Sequence, residues 1–132
     1  MATIVWVDDW QMQCCGDPFE IGSTIIWTAT SYDPTWISGL TREQAEQIDY
    51  AEERHGGASG AGLISLGGTI ASIQAVRCGY TQSGKTLTPI AGSATLTSVG
   101  SADGWEEESD GLRFVGYLVE MIENPLIASR ES

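Results

Sequence analysis

The sequence predicts a mainly β domain, a small antiparallel barrel or sandwich of about five to seven strands, with one surface helix near residues 41–54. Three observations predict it. Short runs rich in β-branched and aromatic residues recur along the chain, separated by glycine-bearing turns. One segment, Thr41 to Arg54, carries helix start and stop signals. A long apolar stretch, Leu112 to Ile122, returns late in the chain, where pairing with early strands would close a barrel.

The elements follow in order. Ile4 to Trp10 reads as a strand, and "CCGDPFEIG" supplies turn residues before a second strand, "STIIWTAT", from Ser23 to Thr30. Tyr32 to Gly39 is a loop. Thr41 is placed to cap a helix, with Gln44 completing a capping box, Leu40 and Ala45 positioned as a staple, and Gly56-Gly57 as the stop. The helix has a thin apolar stripe (Ala45, Ile48, Ala51 or Glu52) and is expected to lie mostly solvated on the surface. Residues 56–68 are glycine-rich and read as a flexible loop. Strand character resumes from Thr69 to Tyr80 and again from Ser93 to Val99. "SADGWEEESDG" reads as an exposed acidic loop, and Leu112 to Ile122, apolar on both faces, as the central strand. Residues 1–124 form one expected domain, and 125–132 a frayed tail.

Composition narrows the function classes. The 132 residues include eighteen acids and six bases, a net charge of −12. Hydrophobic residues make up 42%, the pI is near 4.1 and mean hydropathy is −0.06. These are the proportions of a globular chain. No apolar run approaches the roughly 18 to 20 residues of a spanning helix. With no basic leader before Asp8-Asp9, a cytoplasmic location is expected. An acidic surface repels nucleic acid and anionic membranes and steers toward basic partners, so a basic protein surface is the expected partner. The odd cysteine count (Cys14, Cys15, Cys78) favours free thiols.

"VWVDDWQMQCCGDPFEIGSTIIW", Val5 to Trp27, resembles the signature of domain-of-unknown-function family 6578, an uncharacterised actinobacterial family with suspected actinophage members. The resemblance lies in a strand, an acidic pair, a Trp-Gln-Met segment, Cys-Cys-Gly, and a Pro-Phe turn into a Trp-bearing strand. "GGTIASIQAVRC" and "FVGYLVEM" are similar to later blocks of that family. The resemblance implies a fold unit and a host range and supplies no catalytic residue.

Candidate chemistry is sparse. "GYTQSGKT", Gly79 to Thr86, fits the phosphate-binding pattern G-x-x-x-x-G-K-[ST], in which Lys85 would reach phosphate and Thr86 magnesium. That pattern needs a helix to follow, whereas "TLTPIAGSATL" is a poor helix former without an amphipathic stripe. The segment is better explained as a β-hairpin with Ser83-Gly84 at its tip, and no nucleotide is expected. Cys14, Cys15, Cys78 and His55 offer zinc-type ligands. However, adjacent cysteines on an extended chain point to opposite faces, so neither metal nor cofactor is expected. His55 is the only histidine and suits a helix C-terminus. Asp8, Asp9 and Asp17 form the best carboxylate constellation, though Asp8 and Asp9 would alternate faces on a strand.

Among the tryptophans, Trp6 and Trp27 are expected in the core, while Trp10, Trp36 and Trp105 fall at strand ends or loops. Exposed there, they would anchor a partner. The leading expectation is a non-enzymatic protein-binding domain using Asp9, Trp10, Trp36, Trp105, Glu106, Glu107 and Glu108. A phage-type inhibitor mimicking nucleic acid is the second expectation. A small enzyme or metal protein built on Asp8, Asp9 and Asp17 or on the cysteines is the third.

Overall fold

The computed structural model of the chain describes residues 2–9, 12–13, 18–31, 42–52, 64–90, 92–109 and 111–124. Its strands are β1 (Ala2–Asp8), β2 (Phe19–Glu20), β3 (Thr24–Ser31), β4 (Tyr50–Glu52), β5 (Ile64–Cys78), β6 (Tyr80–Ser83), β7 (Thr86–Pro89), β8 (Thr95–Val99), β9 (Ser101–Ala102) and β10 (Arg113–Glu123), with helix α1 (Arg42–Glu46) between β3 and β4. The main sheet runs β10-β1-β4-β3-β5-β8, and β10 also pairs with β5. The first five of these strands therefore close into a barrel, and β8 extends β5 beyond it.

The long strands take up the closure. β10 lies antiparallel to β1 from Asp8↔Gly116 to Ala2↔Ile122. Its other edge lies antiparallel to β5 from Arg113↔Cys78 to Glu123↔Gly68. The opposite edge of β5 is shared, with β3 taking Ile64 to Thr69 and β8 taking Ile73 to Arg77. β5 is thus long enough to serve the barrel and its extension.

Alternation along each strand divides two apolar layers. Val5, Val7, Trp27, Leu66, Ile70, Ile73, Tyr117, Val119 and Met121 fill the barrel. Trp6, Val76, Cys78 and Leu118 face outward and are covered by Ile48, Ala51, Ala94 and the flank of α1 at Ala45. Trp6 is consequently 1% exposed although it points away from the barrel axis. Each such fully buried aliphatic or aromatic side chain contributes about 1.5–3 kcal/mol. Phe19 meets Trp27 edge-to-face at 5.0 Å between ring centroids, closing the interior near one mouth.

Two bulges shift the alternation. Register slips between Phe114 and Gly116, and between Glu120 and Met121, where β5 carries an extra residue. The first lets both Phe114 and Tyr117 face inward, and the second does the same for Ile70 and Ile73.

The helix expected over 41–54 is shorter, and Tyr50–Glu52 is a strand. Hydrogen bonding to β1 decides this. Asp49 N–H donates to the Ile4 carbonyl at 2.8 Å, and the Asp49 carboxylate accepts from Ile4 N–H at 2.9 Å. This docks β4 parallel to β1 at Tyr50 and Ala51, the one departure from an antiparallel barrel. Glu52, read from sequence as helical, is 3% exposed. Residues 64–68, read as part of a glycine loop, belong to β5. A Cβ on Gly68 would lie 2.2 Å from the Ile122 carbonyl oxygen, so a glycine is required where β5 and β10 seal the ring. The strand expected over Ile4 to Trp10 ends at Asp8, and Asp9 is already helical. Among the described residues, no helix is long and apolar enough to cross a membrane.

Gly68→Ala should lower stability by at least about 2 kcal/mol, since backbone rather than a flexible side chain must give way. Gly100→Ala, which meets nothing within 4 Å, should stay within about 0.5 kcal/mol of wild type. Urea unfolding of both variants checks this.

Candidate functional site

The acidic segment after β9 is held over one mouth of the barrel by the strand that closes it. β9 pairs with β2 through Phe19↔Ala102 and Glu20↔Ser101, which brings the chain to the barrel end. Tyr117 stands inside the barrel with no exposed surface. Its hydroxyl accepts the Gly104 N–H at 3.0 Å and donates to a Glu106 carboxylate oxygen at 2.9 Å. A buried hydroxyl without partners is costly, and these two groups satisfy it.

Gly104 is conformationally required. Its φ is +87°, and a Cβ there would lie 2.6 Å from Met12 Cβ. Gln13 Nε2 donates to the Gly104 carbonyl at 2.8 Å. Asp103 accepts the Trp105 N–H at 2.8 Å, a local turn of the kind that aspartate favours. Arg77 Nε donates to the Glu107 carbonyl at 2.9 Å. The Arg113–Glu108 ion pair, 3.8 Å long between side chains that are both more than half exposed, adds little. Ser109 and Leu112 exchange backbone hydrogen bonds that return the chain to β10.

The result is a fixed backbone bearing an exposed indole. Trp105 is 64% exposed, the most exposed large hydrophobic residue among those described. Asp103, Glu107 and Glu108 are exposed around it, and Glu106 is half-buried by its bond to Tyr117.

The other candidates are dispersed. Asp8 accepts from Trp6 Nε1 at 2.8 Å on the outer face of β1. Asp9 follows at the end of that strand, close enough to Tyr80 for its charge to act on the phenol. Burial is the largest cause raising the Tyr80 pKa. Cys78 and Asp9 act in the same direction, while Arg113, whose guanidinium sits 5.3 Å from the ring centre, opposes them. Cys78 lies in the outer apolar layer, where burial pushes its thiol up and makes it a poor nucleophile. Among the described residues, no group of three His, Cys, Asp or Glu side chains is arranged to hold a metal. Trp10, Cys14, Cys15, Asp17, Trp36 and His55 lie outside the described residues.

Gly79 to Thr86 folds as a β-turn-β unit. β6 and β7 pair antiparallel from Tyr80↔Pro89 to Ser83↔Thr86, with Gly84 at φ +63° at the tip. A strand leaves the loop where a phosphate-binding loop would need a helix.

Sequence reasoning missed Tyr117, Gly104, Gln13 and Arg77. A signal existed for Tyr117, the one polar tip among the inward positions Tyr117, Val119 and Met121 of the most apolar strand. Gln13 and Arg77 carried no signal, because both reach the acidic segment across long sequence separations.

Fold and site together define a small closed β-barrel with a braced acidic loop at one mouth. The chain belongs to a family of unknown function, DUF6578, which it matches over residues 1–123. No curated protein and no solved structure matches it.

Tyr117→Phe should cost about 1–3 kcal/mol by leaving the Gly104 N–H and the Glu106 carboxylate without their partner. Burial, the largest cause, holds the Tyr117 pKa well above the ordinary tyrosine value; the Gly104 N–H opposes this and Glu106 adds to it. A pKa raised by folding stabilises fully below the unfolded value near pH 10, and that stabilisation is lost as pH rises above it. Denaturation between pH 8 and about pH 11.5 should therefore show falling stability, with a shallower fall in Tyr117→Phe.

Alkylation followed by peptide mass spectrometry should find Cys78 protected in native protein at neutral pH and modified once urea unfolds it.

Proposed function

We propose that the chain is a non-enzymatic acidic β-domain that binds a basic protein surface through the loop at the barrel mouth. Trp105 is the anchor, and Asp103, Glu107 and Glu108 form its acidic rim. The observation that carries this is an indole 64% exposed on a backbone fixed by Tyr117, Asp103 and Arg77. A solvated tryptophan on a braced loop loses little conformational entropy on binding, and aromatic anchors of this kind dominate interface energies.

Surrounding carboxylates select a cationic partner. Lysine and arginine side chains gain both from the ring face and from the acids beside it. The net charge of −12 steers such a partner inward and repels anionic ones. Asp9, Trp10 and Trp36 are proposed as further contact residues for the partner. The domain would act in a bacterial cytoplasm, in an actinobacterium or in a host infected by its phage. Mimicry of nucleic acid is less favoured, because the described acids are spread around the molecule. Glu43, Glu46 and Asp49 accompany α1, Glu120 faces outward from β10, and Glu123 binds Thr3 at the far end of the barrel.

Immobilised protein exposed to an actinobacterial lysate should retain a basic protein that is released by about 0.5 M salt and is not retained by Trp105→Ala. Glu107→Gln combined with Glu108→Gln should slow association more than it speeds dissociation. A retained set identical for wild type and Trp105→Ala would refute the assignment.

A further inference from the structure

A polar recess lies on the outer face of the barrel, between the sheet and the turn that follows α1. It has a volume of about 220 Å³ and is lined by Ile4, Gln47, Ser72, Gln74, Ser98, Leu118 and Glu120. The register explains why these residues meet. Ile4, Glu120 and Ser72 stand side by side across β1, β10 and β5. Leu118, Gln74 and Ser98 form the neighbouring row across β10, β5 and β8. Residues two apart on a strand share a face, so both rows point outward into one space. Gln47, which follows α1, overhangs it, held by the hydrogen bonds that tighten the helix end at Gln44 and Ala45.

The chemistry of the lining is specific. Leu118 is buried and forms an apolar floor with the half-buried Ile4. Around that floor stand two carboxamides, two hydroxyls and one carboxylate, with no cationic side chain in the lining. None of these five polar side chains makes a hydrogen bond or ion pair with another described group. The site therefore offers acceptors in several directions, one negative charge and a short greasy base.

We propose that this recess binds a single organic cation, a guanidinium or primary ammonium on an aliphatic stem. The stem lies on Ile4 and Leu118. The head is charge-paired with Glu120 and donates to the carboxamide and hydroxyl oxygens of Gln47, Ser72, Gln74 and Ser98. A guanidinium satisfies the set best, because its five N–H donors spread in one plane while the acceptors come from three sides. The overall negative charge raises the local concentration of such a ligand and excludes anions. This site is separate from the Trp105 loop, since it opens on the outer face of the sheet and uses none of the loop residues.

The head group has two sources, a free small molecule and an arginine or lysine side chain of a partner. Agmatine and Nα-acetyl-arginine methylamide are the two probes, titrated by calorimetry and by amide-resolved NMR, with neutral N-butylurea as control. Saturable binding is expected, with shifts centred on the side-chain amides of Gln47 and Gln74. Glu120→Gln should weaken it at least about tenfold, the scale of one charge-assisted hydrogen bond. Gln74→Ala should weaken it less. Preference for agmatine supports a free cation as the ligand, and preference for the blocked arginine supports a partner side chain. The proposal is overturned by unsaturable shifts scattered over the acidic surface, by equal binding of N-butylurea, or by an affinity that Glu120→Gln does not alter.

Discussion

The molecule depends on β10 being hydrogen-bonded along both edges. β10 stands first in the order β10-β1-β4-β3-β5, and its second pairing, with β5, joins the two ends into a ring with no open flank in the barrel wall. That ring needs the backbone of β5 to approach β10 within a distance that only Gly68 permits. Gly116 meets a similar demand on the other side of β10, where a Cβ would strike the Val7 carbonyl oxygen at 2.5 Å and the Trp6 ring at 2.6 Å. Two glycines on opposite edges thus set how tightly the wall closes, and hence which side chains fit within it.

With only five strands, the interior is a packed column, not a cavity. Function is therefore left to the outside and the ends. The outer apolar layer of Trp6, Val76 and Leu118 needs a cover, and the segment from α1 to Ala51 supplies it. The same segment places Gln47 over the polar recess. Closure at the mouth works similarly, because Tyr117 plugs the interior with its ring and holds the acidic segment with its hydroxyl. In both places a packing residue also positions a surface group.

Much of this was legible in the sequence. The β class, the strands near Ile4, Ser23, Thr69, Ser93 and Leu112, and a hairpin in Gly79 to Thr86 follow from β-branched runs and glycine turns, although its turn is Gly84-Lys85 and Ser83 ends the first strand. The segment 41–54 did not yield to the same reasoning, because its capping and composition are genuinely helical. Pairing with Ile4 through Asp49, a contact set by the tertiary fold, converts its end to a strand. Gly67-Gly68 looked like linker because glycine signals flexibility and close backbone approach with the same letter. The bulges were equally hidden, since an extra residue has no signature in an unbroken apolar run. Of the candidate site, Trp105 and its acids were visible as composition. The polar recess was not visible, because its members are scattered between residues 4 and 120 and meet only through register.

The short parallel contact of β4 with β1 gives the ring a seam. β10 meets β5 from Arg113 to Glu123, whereas among the described residues β4 meets β1 at Tyr50 and Ala51 and β3 from Ala29 to Ser31. Local opening follows the fewest ordered backbone bonds. Opening at β4, as at a clasp, would leave the β1-β10-β5 wall shut. Such opening would uncover the outer apolar layer and swing Gln47 off its recess before the acidic loop is disturbed. The two proposed surfaces would then differ in local stability, one riding on the clasp and the other fastened to the wall.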